Sequence, residues 1–356
     1  MEVGQPSTSA PAIVLDAATD VIRCEKLGYT VAAGIPELRQ AIAGHYTTTY
    51  QFSVDPDQVI VTPGSSGGFV LAFLTAFEPG ARVALAEPGY PCYRNILTAS
   101  GIEVVSIPCG PESRYQITPT LLESVAGPID GLVIASPSNP TGSMISALEM
   151  EALVNYCDSR NIVVVSDEIY HGIEFGTPAA SAAQYSDRAI VVNSFSKYFS
   201  MTGWRVGWML LPPKLVRNAE KLMQNLFISA ASVSQYAAIA AFDAHNELQG
   251  HVSRYRENRN IILKGLEAAH VNDFAPPDGA FYVYADMSEF TANSVNFCST
   301  MIEETGIAAT PGVDFDPIRG PSMIRFSYSG DTRTVIDAMT RFAGYLDDLR
   351  ANKQCA

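Results

Sequence analysis

The sequence predicts an α/β protein in which helices cover both faces of a mostly parallel sheet, with a smaller α+β unit after about residue 250. Between residues 58 and 212, short β-branched runs alternate with turn residues and helical stretches. Several runs are apolar at nearly every position, as expected of strands that helices bury on both faces. The length of 356 residues also favours a large domain with a smaller one over a single core.

The strand-like runs of the first unit end at Gly, Pro, Ser, Asn or Asp, which favour turns. The predicted strands are Val59–Thr62, Arg82–Ala86, Glu103–Ile107, Gly131–Ser136, Ile162–Ser166, Ala189–Asn193 and Gly207–Leu211. Helical periodicity is clearest at Pro36–Tyr46, Ala147–Arg160 and Ser229–Asn246, the last interpreted as one long buried helix rich in alanine.

The second unit has a different pattern, which predicts a smaller α+β unit. A charged stretch predicts a helix at Val252–Ala269, and short strands are expected around Ala280–Ala285 and Met323–Ser327. A final helix is predicted at Thr332–Asn352. No internal repeat or low-complexity tract interrupts this order.

Composition narrows the class of function. Subtracting 37 acidic from 23 basic residues gives a net charge of −14 without a basic patch, so nucleic acid and anionic lipid are not expected partners. No apolar run reaches the roughly 18 residues of a membrane span. Six cysteines lack a CxxC pair and five histidines lack metal-ligand spacing, so we expect no metal site and reduced thiols in the cytoplasm. The first residues do not have the pattern of a secretory leader, so export is not expected.

Ligands of open parallel sheets bind beyond the carboxyl ends of the strands, so the turns there are the places to search for chemistry. The turn Pro63–Gly68 follows a predicted strand and opens a helical stretch with two glycines flanking Ser65 and Ser66. Free backbone N–H groups and two hydroxyls at a helix N-terminus suit a phosphate. A simple chain reversal is the alternative.

Two further turns place polar side chains at strand ends. In Ser136–Gly142, two prolines flank Asn139, which indicates either a rigidly held amide or only an Asn-Pro turn. Asp167 and Glu168 follow an apolar strand directly, and burying a carboxylate costs several kcal/mol without compensation. A cationic partner is therefore expected for at least one of them, the alternative being a capping Asp beside a solvated Glu.

The fourth turn carries a candidate nucleophile. Of six lysines, only Lys197 lies in an aromatic-lined turn directly after a core strand, and Arg205 follows eight positions later. Desolvation there would lower the lysine pKa and favour Schiff-base chemistry, whereas a lysine reaching into solvent is the alternative. Pyridoxal phosphate requires the groups that these four turns offer: an anion cradle, an amide, a buried acid, a tyrosine, an amine and a second cation.

The chain resembles the class I/II aminotransferases, fold-type I pyridoxal-phosphate enzymes of the aspartate aminotransferase superfamily. The residues that carry the resemblance span nearly the whole chain: Gly4-Gln5-Pro6, Gly34–Arg39, Asn139-Pro140-Thr141-Gly142, Asp167–Tyr170, Ser194–Lys197 followed by Arg205, and Arg325. The resemblance implies a three-layer α/β/α large domain of residues 20–250 and a smaller α+β domain formed by residues 1–19 and 251–356.

The resemblance assigns roles around the cofactor ring. It implies that Lys197 forms the internal aldimine and, once released, moves the proton between the substrate Cα and C4′. Asp167 would pair with the pyridinium nitrogen. Tyr170 and Asn139 would both bond the phenolic oxygen of the ring.

The resemblance also implies how the cofactor is held. Ser65 and Ser66, with Ser194 and Arg205, would bind its phosphate. Tyr90 resembles the aromatic residue that stacks on the ring, although a core tyrosine is the alternative.

Substrate binding and assembly complete the implied site. Arg325 would bind the substrate α-carboxylate in a bidentate manner, the alternative being a structural salt bridge, and the Gly4 backbone would meet the same carboxylate. Tyr29 resembles a tyrosine that reaches the phosphate of the neighbouring subunit, so a homodimer is expected. Family members usually carry a longer segment before the Gly-x-Pro element, whereas Gly4 here is almost the first residue.

The function implied is transfer of an amino group from an L-amino acid to a 2-oxo acid by a ping-pong mechanism. A C–S or β-lyase of the same fold is the alternative enzyme, because the same chemistry can expel a β-substituent. A regulatory module is disfavoured, since the chain has neither the basic charge nor the length for a DNA-binding extension. Acidic, aromatic, aliphatic and alanine-like donors all remain open.

Overall fold

The computed structural model describes residues 1–24 and 27–354, so Lys26 and Cys355, counted above, lie outside it. Its helices are α1 (Ala12–Cys24), α2 (Pro36–Tyr50), α3 (Gly64–Ala76), α4 (Pro91–Ala99), α5 (Pro119–Glu123), α6 (Ala147–Ser159), α7 (Pro213–Leu226), α8 (Ser232–Ala241), α9 (His245–Ala268), α10 (Ser294–Thr305) and α11 (Thr332–Gln354). Its strands are β1 (Val59–Thr62), β2 (Arg82–Glu87), β3 (Glu103–Pro108), β4 (Gly131–Ala135), β5 (Val163–Asp167), β6 (Ile190–Ser194), β7 (Gly207–Leu210), β8 (Tyr282–Asp286), β9 (Thr310–Pro311) and β10 (Met323–Ser327).

The first seven strands form one sheet in the order β1-β7-β6-β5-β4-β2-β3. Only β7 runs antiparallel to its neighbours, and the remaining pairs are parallel. The predicted mostly parallel α/β fold is therefore confirmed, and each predicted strand of this sheet lies within one residue of its observed bounds. Because Asp167 is in register with Ala135 and Val192, the carboxyl ends of β4, β5 and β6 lie side by side.

The last three strands form an antiparallel sheet in the order β8-β10-β9. Arg325 in β10 lies opposite Tyr284 and Thr310. The N-terminal segment runs beside β10, where the Ser327 amide donates to the Met1 carbonyl at 2.7 Å. Helix α1 packs on α8, and α9 packs on α11. The expected domain limits fall inside α1 and α9, and the division into 20–250 and 1–19 with 251–356 stays a prediction.

The single long helix predicted at Ser229–Asn246 is wrong. The chain instead forms α8 and then α9, which begins at His245, seven residues before the predicted charged helix. Between them, the amides of Asp243 and Ala244 bond to carbonyls three residues back, as in a tightened last turn. No Gly or Pro marks this break, so the periodicity gave no sign of it.

Among the described residues, no helix combines the length and the apolar character that crossing a bilayer requires.

Candidate active site

A cavity of about 290 Å³ lies beyond the carboxyl ends of the parallel strands, where the small sheet and the N-terminal segment meet the large sheet. It brings together most of the predicted site residues: Gly4, Ser65, Ser66, Tyr90, Asn139, Asp167, Tyr170, Lys197, Arg205 and Arg325. Ser194 and Tyr29 do not line it. The position agrees with the rule for open α/β sheets.

Lys197 projects from the turn between β6 and β7. Its amine donates to the Gly4 carbonyl and lies about 6 Å from the ring centres of Tyr170 and Phe281. Burial, assisted by the charge of Arg325, lowers the pKa of Lys197 from 10.5 to about 8. The side chain does not extend freely into solvent, and much of its population is the neutral amine near pH 8.

Asp167 closes β5 and is 4% exposed. Its carboxylate accepts from the Tyr93 hydroxyl and, at 3.0 Å, from the Ile169 amide. Burial raises the pKa of Asp167 from 3.8 to about 6, although the Tyr93 hydrogen bond opposes the rise. No lysine or arginine of the described chain makes an ion pair with it.

Glu168 is buried behind the cavity and does not line it. One of its oxygens accepts from the Ser166 and Ser181 hydroxyls and the Ala182 amide, at 2.9 to 3.1 Å. The other oxygen lies 3.6 Å from Nδ1 of His171. Burial raises the pKa of Glu168 to about 8, so it is largely a neutral acid at pH 7. The alternative of a solvated Glu is therefore wrong.

Arg325 stands in an otherwise apolar strand and points into the cavity. It donates to Asn139 Oδ1 at 2.8 Å, to the Glu2 carbonyl at 2.7 Å and to the Thr310 hydroxyl at 3.0 Å, while its buried Nε has no hydrogen-bond partner among the described residues. Its guanidinium lies 4.4 Å from the Tyr282 ring centre and 4.8 Å from that of Phe315. Within residues 1–24 and 27–354 no carboxylate pairs with it, so the structural salt bridge is not observed.

Ser65 and Ser66 lie in the first turn of α3, so backbone N–H groups without helical partners face the cavity. Arg205 adopts a left-handed conformation, with φ 51°, and donates to the Thr202 carbonyl at 3.2 Å. A Cβ at Gly64 would collide with the Arg205 guanidinium, so Gly64 allows the arginine to lie across the helix start. These groups form an anion cradle.

Ser194 lies at the end of β6 and is buried beneath this cradle. Its hydroxyl pairs with that of Ser196 at 2.9 Å and donates to the Val206 carbonyl at 3.1 Å. Ser196 and Thr202 line the cavity in its place.

The two other predicted tyrosines differ in exposure. Tyr90 precedes α4 and is 37% exposed, with its ring edge-to-face against Tyr93 at 5.6 Å, so it is not a core residue. Tyr29 is 83% exposed and lies away from the cavity of its own chain.

Two tyrosines of the cavity escaped the sequence reasoning. Tyr93 lies in the first turn of α4, three positions after Tyr90, and its hydroxyl donates to Asp167. Tyr282, which bonds the Tyr170 hydroxyl at 2.8 Å, begins a strand directly after Phe281. The closeness of Tyr93 to Tyr90 in the sequence could have indicated Tyr93, but nothing in the strand pattern distinguishes Tyr282 from a core residue.

Comparisons with known proteins agree with this geometry. The family model described as aminotransferase class I and II matches residues 1–342. A curated protein named valine–pyruvate aminotransferase, from Mycobacterium tuberculosis, is 48% identical over 97% of this chain and 90% of its own length. A crystal structure of an aminotransferase from the same organism superposes with a TM-score of 0.96, at 48% identity, covering 97% of this chain and 90% of that one.

A more distant solved structure has the same fold. Aspartate aminotransferase from Thermus thermophilus with maleate superposes with a TM-score of 0.89 at 29% identity, covering 96% of this chain and 90% of that one.

Proposed function

The chain belongs to the aminotransferase class I and II family, and from this membership we propose that it binds pyridoxal 5′-phosphate through Lys197 and moves an amino group from an L-amino acid to a 2-oxo acid. The observation that carries the proposal is a single cavity in which the Lys197 amine, the buried Asp167 carboxyl, the N-terminus of α3 and the Arg325 guanidinium all meet. Each group matches one chemical feature of the cofactor or of an amino-acid substrate.

The residues fit the cofactor. Asp167 is a buried acid without an ionic partner in the described chain, and a protonated ring nitrogen would supply that partner. Ser65, Ser66 and Arg205 would hold the phosphate, with Ser194 supporting them through Ser196. When bound, the cofactor supplies an aldehyde for the lysine amine and a ring that delocalises the electrons of the substrate Cα bond.

Lys197 would then act twice. Its neutral amine would hold the cofactor through the aldehyde, with loss of water, and the same amine, when freed by a substrate, would be placed to take the proton from the substrate Cα. A pKa near 8 suits both steps, because the neutral and the protonated forms of the amine are both populated at physiological pH. Gly4, whose carbonyl accepts from the amine, limits where that amine can lie.

Asn139 and Tyr170 would orient the ring at its phenolic oxygen. Asn139 Oδ1 accepts from Arg325, which leaves its amide hydrogens free to donate to that oxygen. Tyr90 stands at the cavity rim, where its ring would cover one face of the cofactor.

Arg325 would bind the α-carboxylate of the amino acid and then that of the 2-oxo acid. Because the two substrates would use one site in succession, the exchange would be ping-pong. Besides Arg325, Arg205 and Lys197, no cationic side chain of the described residues lines the cavity. A distal carboxylate thus has no partner within this chain, which favours a donor with an apolar side chain. The name of the 48% identical relative supports valine as donor and pyruvate as acceptor.

The test has two stages. Borohydride reduction of the loaded enzyme followed by peptide mapping is expected to label Lys197. Addition of valine alone is then expected to shift the cofactor absorbance, and pyruvate to restore it. A label on another residue, or a spectrum that none of the twenty amino acids changes, would refute the proposal. Release of pyruvate and ammonia without an acceptor would favour a β-lyase instead.

We also propose a homodimer in which Tyr29 of a second copy completes each site. Tyr29 is 83% exposed, and the apolar side chains two positions before and after it are exposed as well, Leu27 at 44% and Val31 at 59%. A second copy that packs on this segment would cover these side chains.

A further inference from the structure

Tyr170 and Tyr282 form a pair of buried phenols at the cavity wall. Their hydroxyl oxygens are 2.8 Å apart, and Tyr170 is 5% and Tyr282 1% exposed. Within the described residues, the Tyr282 hydroxyl has Tyr170 as its hydrogen-bond partner and contacts the Gly4 backbone, where a Cβ would collide with it. Tyr170 therefore faces Tyr282 on one side and the cavity on the other.

The direction of this hydrogen bond decides what Tyr170 can do. Each phenol has a single proton, so one hydroxyl of the pair donates and the other accepts. If Tyr170 donates to Tyr282, it has no proton left for a ligand oxygen in the cavity. If Tyr282 donates, the Tyr170 proton is free, and the donation it makes is strengthened by the one it receives.

Arg325 favours donation by Tyr282. Its guanidinium lies 4.4 Å from the centre of the Tyr282 ring, and a cation over the ring withdraws charge from the phenol. Burial raises the pKa of both phenols, and the Arg325 charge opposes the rise in each. The guanidinium lies over the Tyr282 ring, however, so it polarises the Tyr282 hydroxyl more directly. The more strongly polarised phenol is the better donor, which favours Tyr282 as donor and Tyr170 as acceptor.

The small sheet fixes this arrangement. In the β8–β10 register, Tyr282 lies opposite Ser327 and Arg325 lies opposite Tyr284, so Tyr282 and Arg325 are diagonal neighbours on one face. The Tyr282 ring also packs edge-to-face on the Tyr170 ring at 5.6 Å. The sheet therefore holds the phenol beside its polarising cation.

We propose that Tyr282 is a positioning residue: it donates its hydroxyl proton to Tyr170, and so directs the Tyr170 proton to the phenolic oxygen of the cofactor. The inference rests on the proposed function, since it concerns the cofactor bound at Lys197. A donor at the phenolic oxygen stabilises the deprotonated chromophore, so removal of the Tyr282 hydroxyl weakens that donor and raises the chromophore pKa.

The test is a titration of the loaded enzyme by absorbance, without substrate. In Tyr282→Phe the chromophore pKa is expected to rise by about 0.5 unit, less than in Tyr170→Phe. In the Tyr170→Phe background, Tyr282→Phe is expected to add nothing, because the relay is already broken. Tyr284→Phe is the matched control: it removes a buried phenol two residues along β8 that does not line the cavity, and no shift is expected.

Three outcomes would overturn the inference. They are an unchanged chromophore pKa in Tyr282→Phe, an equal shift in the Tyr170→Phe background, and an equal shift in Tyr284→Phe. Each leaves the proposed function intact, because borohydride labelling of Lys197 reports cofactor binding separately. A wild-type enzyme without a chromophore would remove both proposals.

A second variant serves if Tyr282→Phe does not fold. Replacing Tyr282 by 3,5-difluorotyrosine keeps its shape and makes the phenol more acidic. The chromophore pKa is then expected to fall, and an unchanged or raised value would contradict the relay.

Discussion

Asp167 and Glu168 are adjacent buried carboxyls, but only Asp167 lines the cavity. We expect Asp167→Asn to lower kcat/KM by at least about 10²-fold, because a neutral amide cannot keep a ring nitrogen protonated. Glu168→Gln is the matched control, and its activity is expected to stay within a few-fold of wild type, since Glu168 is already neutral at pH 7. Steady-state kinetics of both variants, loaded to the same cofactor content, checks this. Equal losses in both would contradict a specific role for the Asp167 carboxylate.

Asp167→Asn is also expected to stabilise the cofactor-free protein. The pKa of Asp167 is raised from 3.8 to about 6 by burial, so wild-type stability falls as the pH rises through that interval and the buried acid ionises. Above pH 6, Asp167→Asn avoids the buried charge, and its melting temperature should exceed that of wild type. The difference should shrink as the pH falls towards 4, and a constant difference in scanning calorimetry would contradict this account.

The lowered pKa of Lys197 gives a pH profile for cofactor binding. Only the neutral amine attacks an aldehyde, so the rate of reconstitution should rise with pH to a plateau, with a midpoint near 8. Because the Arg325 charge contributes to the lowering, Arg325→Gln is expected to move the midpoint upwards. Stopped-flow absorbance after mixing the cofactor-free protein with pyridoxal phosphate measures both. A midpoint near the ordinary 10.5 would mean that the amine is not desolvated.

At the residue scale, the sequence predicted the groups whose chemistry is unusual for their place. Asp167 ends a buried strand, Lys197 follows one closely and Arg325 interrupts one, and burying a charge in such places costs free energy unless the charge has a function or a partner. Tyr93 and Tyr282 escaped because a tyrosine fits a core equally well, and their hydroxyl partners come from strands and helices far away in the sequence.

Helix α3 presents the anion cradle, and Gly64 at its start has φ +73° beneath the Arg205 guanidinium. We expect Gly64→Ala to weaken pyridoxal phosphate binding by at least about 10-fold, since the methyl group displaces the Arg205 guanidinium, which is proposed to bind the phosphate. Gly80→Ala is the control: Gly80 also has positive φ, +87°, but open space around its Cβ position. Both variants should lose about 1 kcal/mol of stability from backbone strain, and only Gly64→Ala should lose affinity. Loss of affinity in both would assign the effect to strain alone.

At the element scale, the strands of the large sheet were predictable, whereas the short strand β9, the end of α2 and the break between α8 and α9 were not. Strands of the large sheet are buried on both faces, and turn residues end them, so composition alone delimits them. The antiparallel direction of β7 depends on its pairing with β1 and β6, and the residues of β7 alone do not indicate which way the strand runs. The break between α8 and α9 occurs at Phe242–Ala244, where the last turn tightens without a helix-breaking residue.

At the scale of the whole molecule, the division into two domains and a cytoplasmic location stay predictions, whereas the contacts of the N-terminal segment are specific. The Glu2 carbonyl accepts from Arg325, the Gly4 carbonyl accepts from Lys197, and the Ser7 hydroxyl donates to the Ser329 carbonyl at 3.0 Å. The segment joins the small sheet to the turn that carries the amine. It therefore contacts both Arg325 and Lys197 through its backbone carbonyls.

The proposed dimer makes one prediction that a monomer cannot satisfy. If Tyr29 of one copy serves the site of the other, each site takes Lys197 from one copy and Tyr29 from its partner. Tyr29→Ala and Lys197→Ala then remove groups that different copies contribute to the same site. In a hybrid dimer, one site then has both Lys197 and Tyr29, and the other has neither. Mixing equal amounts of the two variants after dissociation should therefore restore up to about a quarter of wild-type activity, from random pairing.

Two controls make this complementation specific. In contrast, a mixture of Lys197→Ala with Asp167→Asn is expected to recover nothing beyond the sum of the two preparations, because both residues belong to the same chain's cavity. Analytical ultracentrifugation of each variant establishes that the preparations remain dimeric. If the Tyr29→Ala mixture likewise recovers nothing while hybrids form, Tyr29 does not act across the interface, because a shared site must regain function whenever each copy supplies what the other lacks.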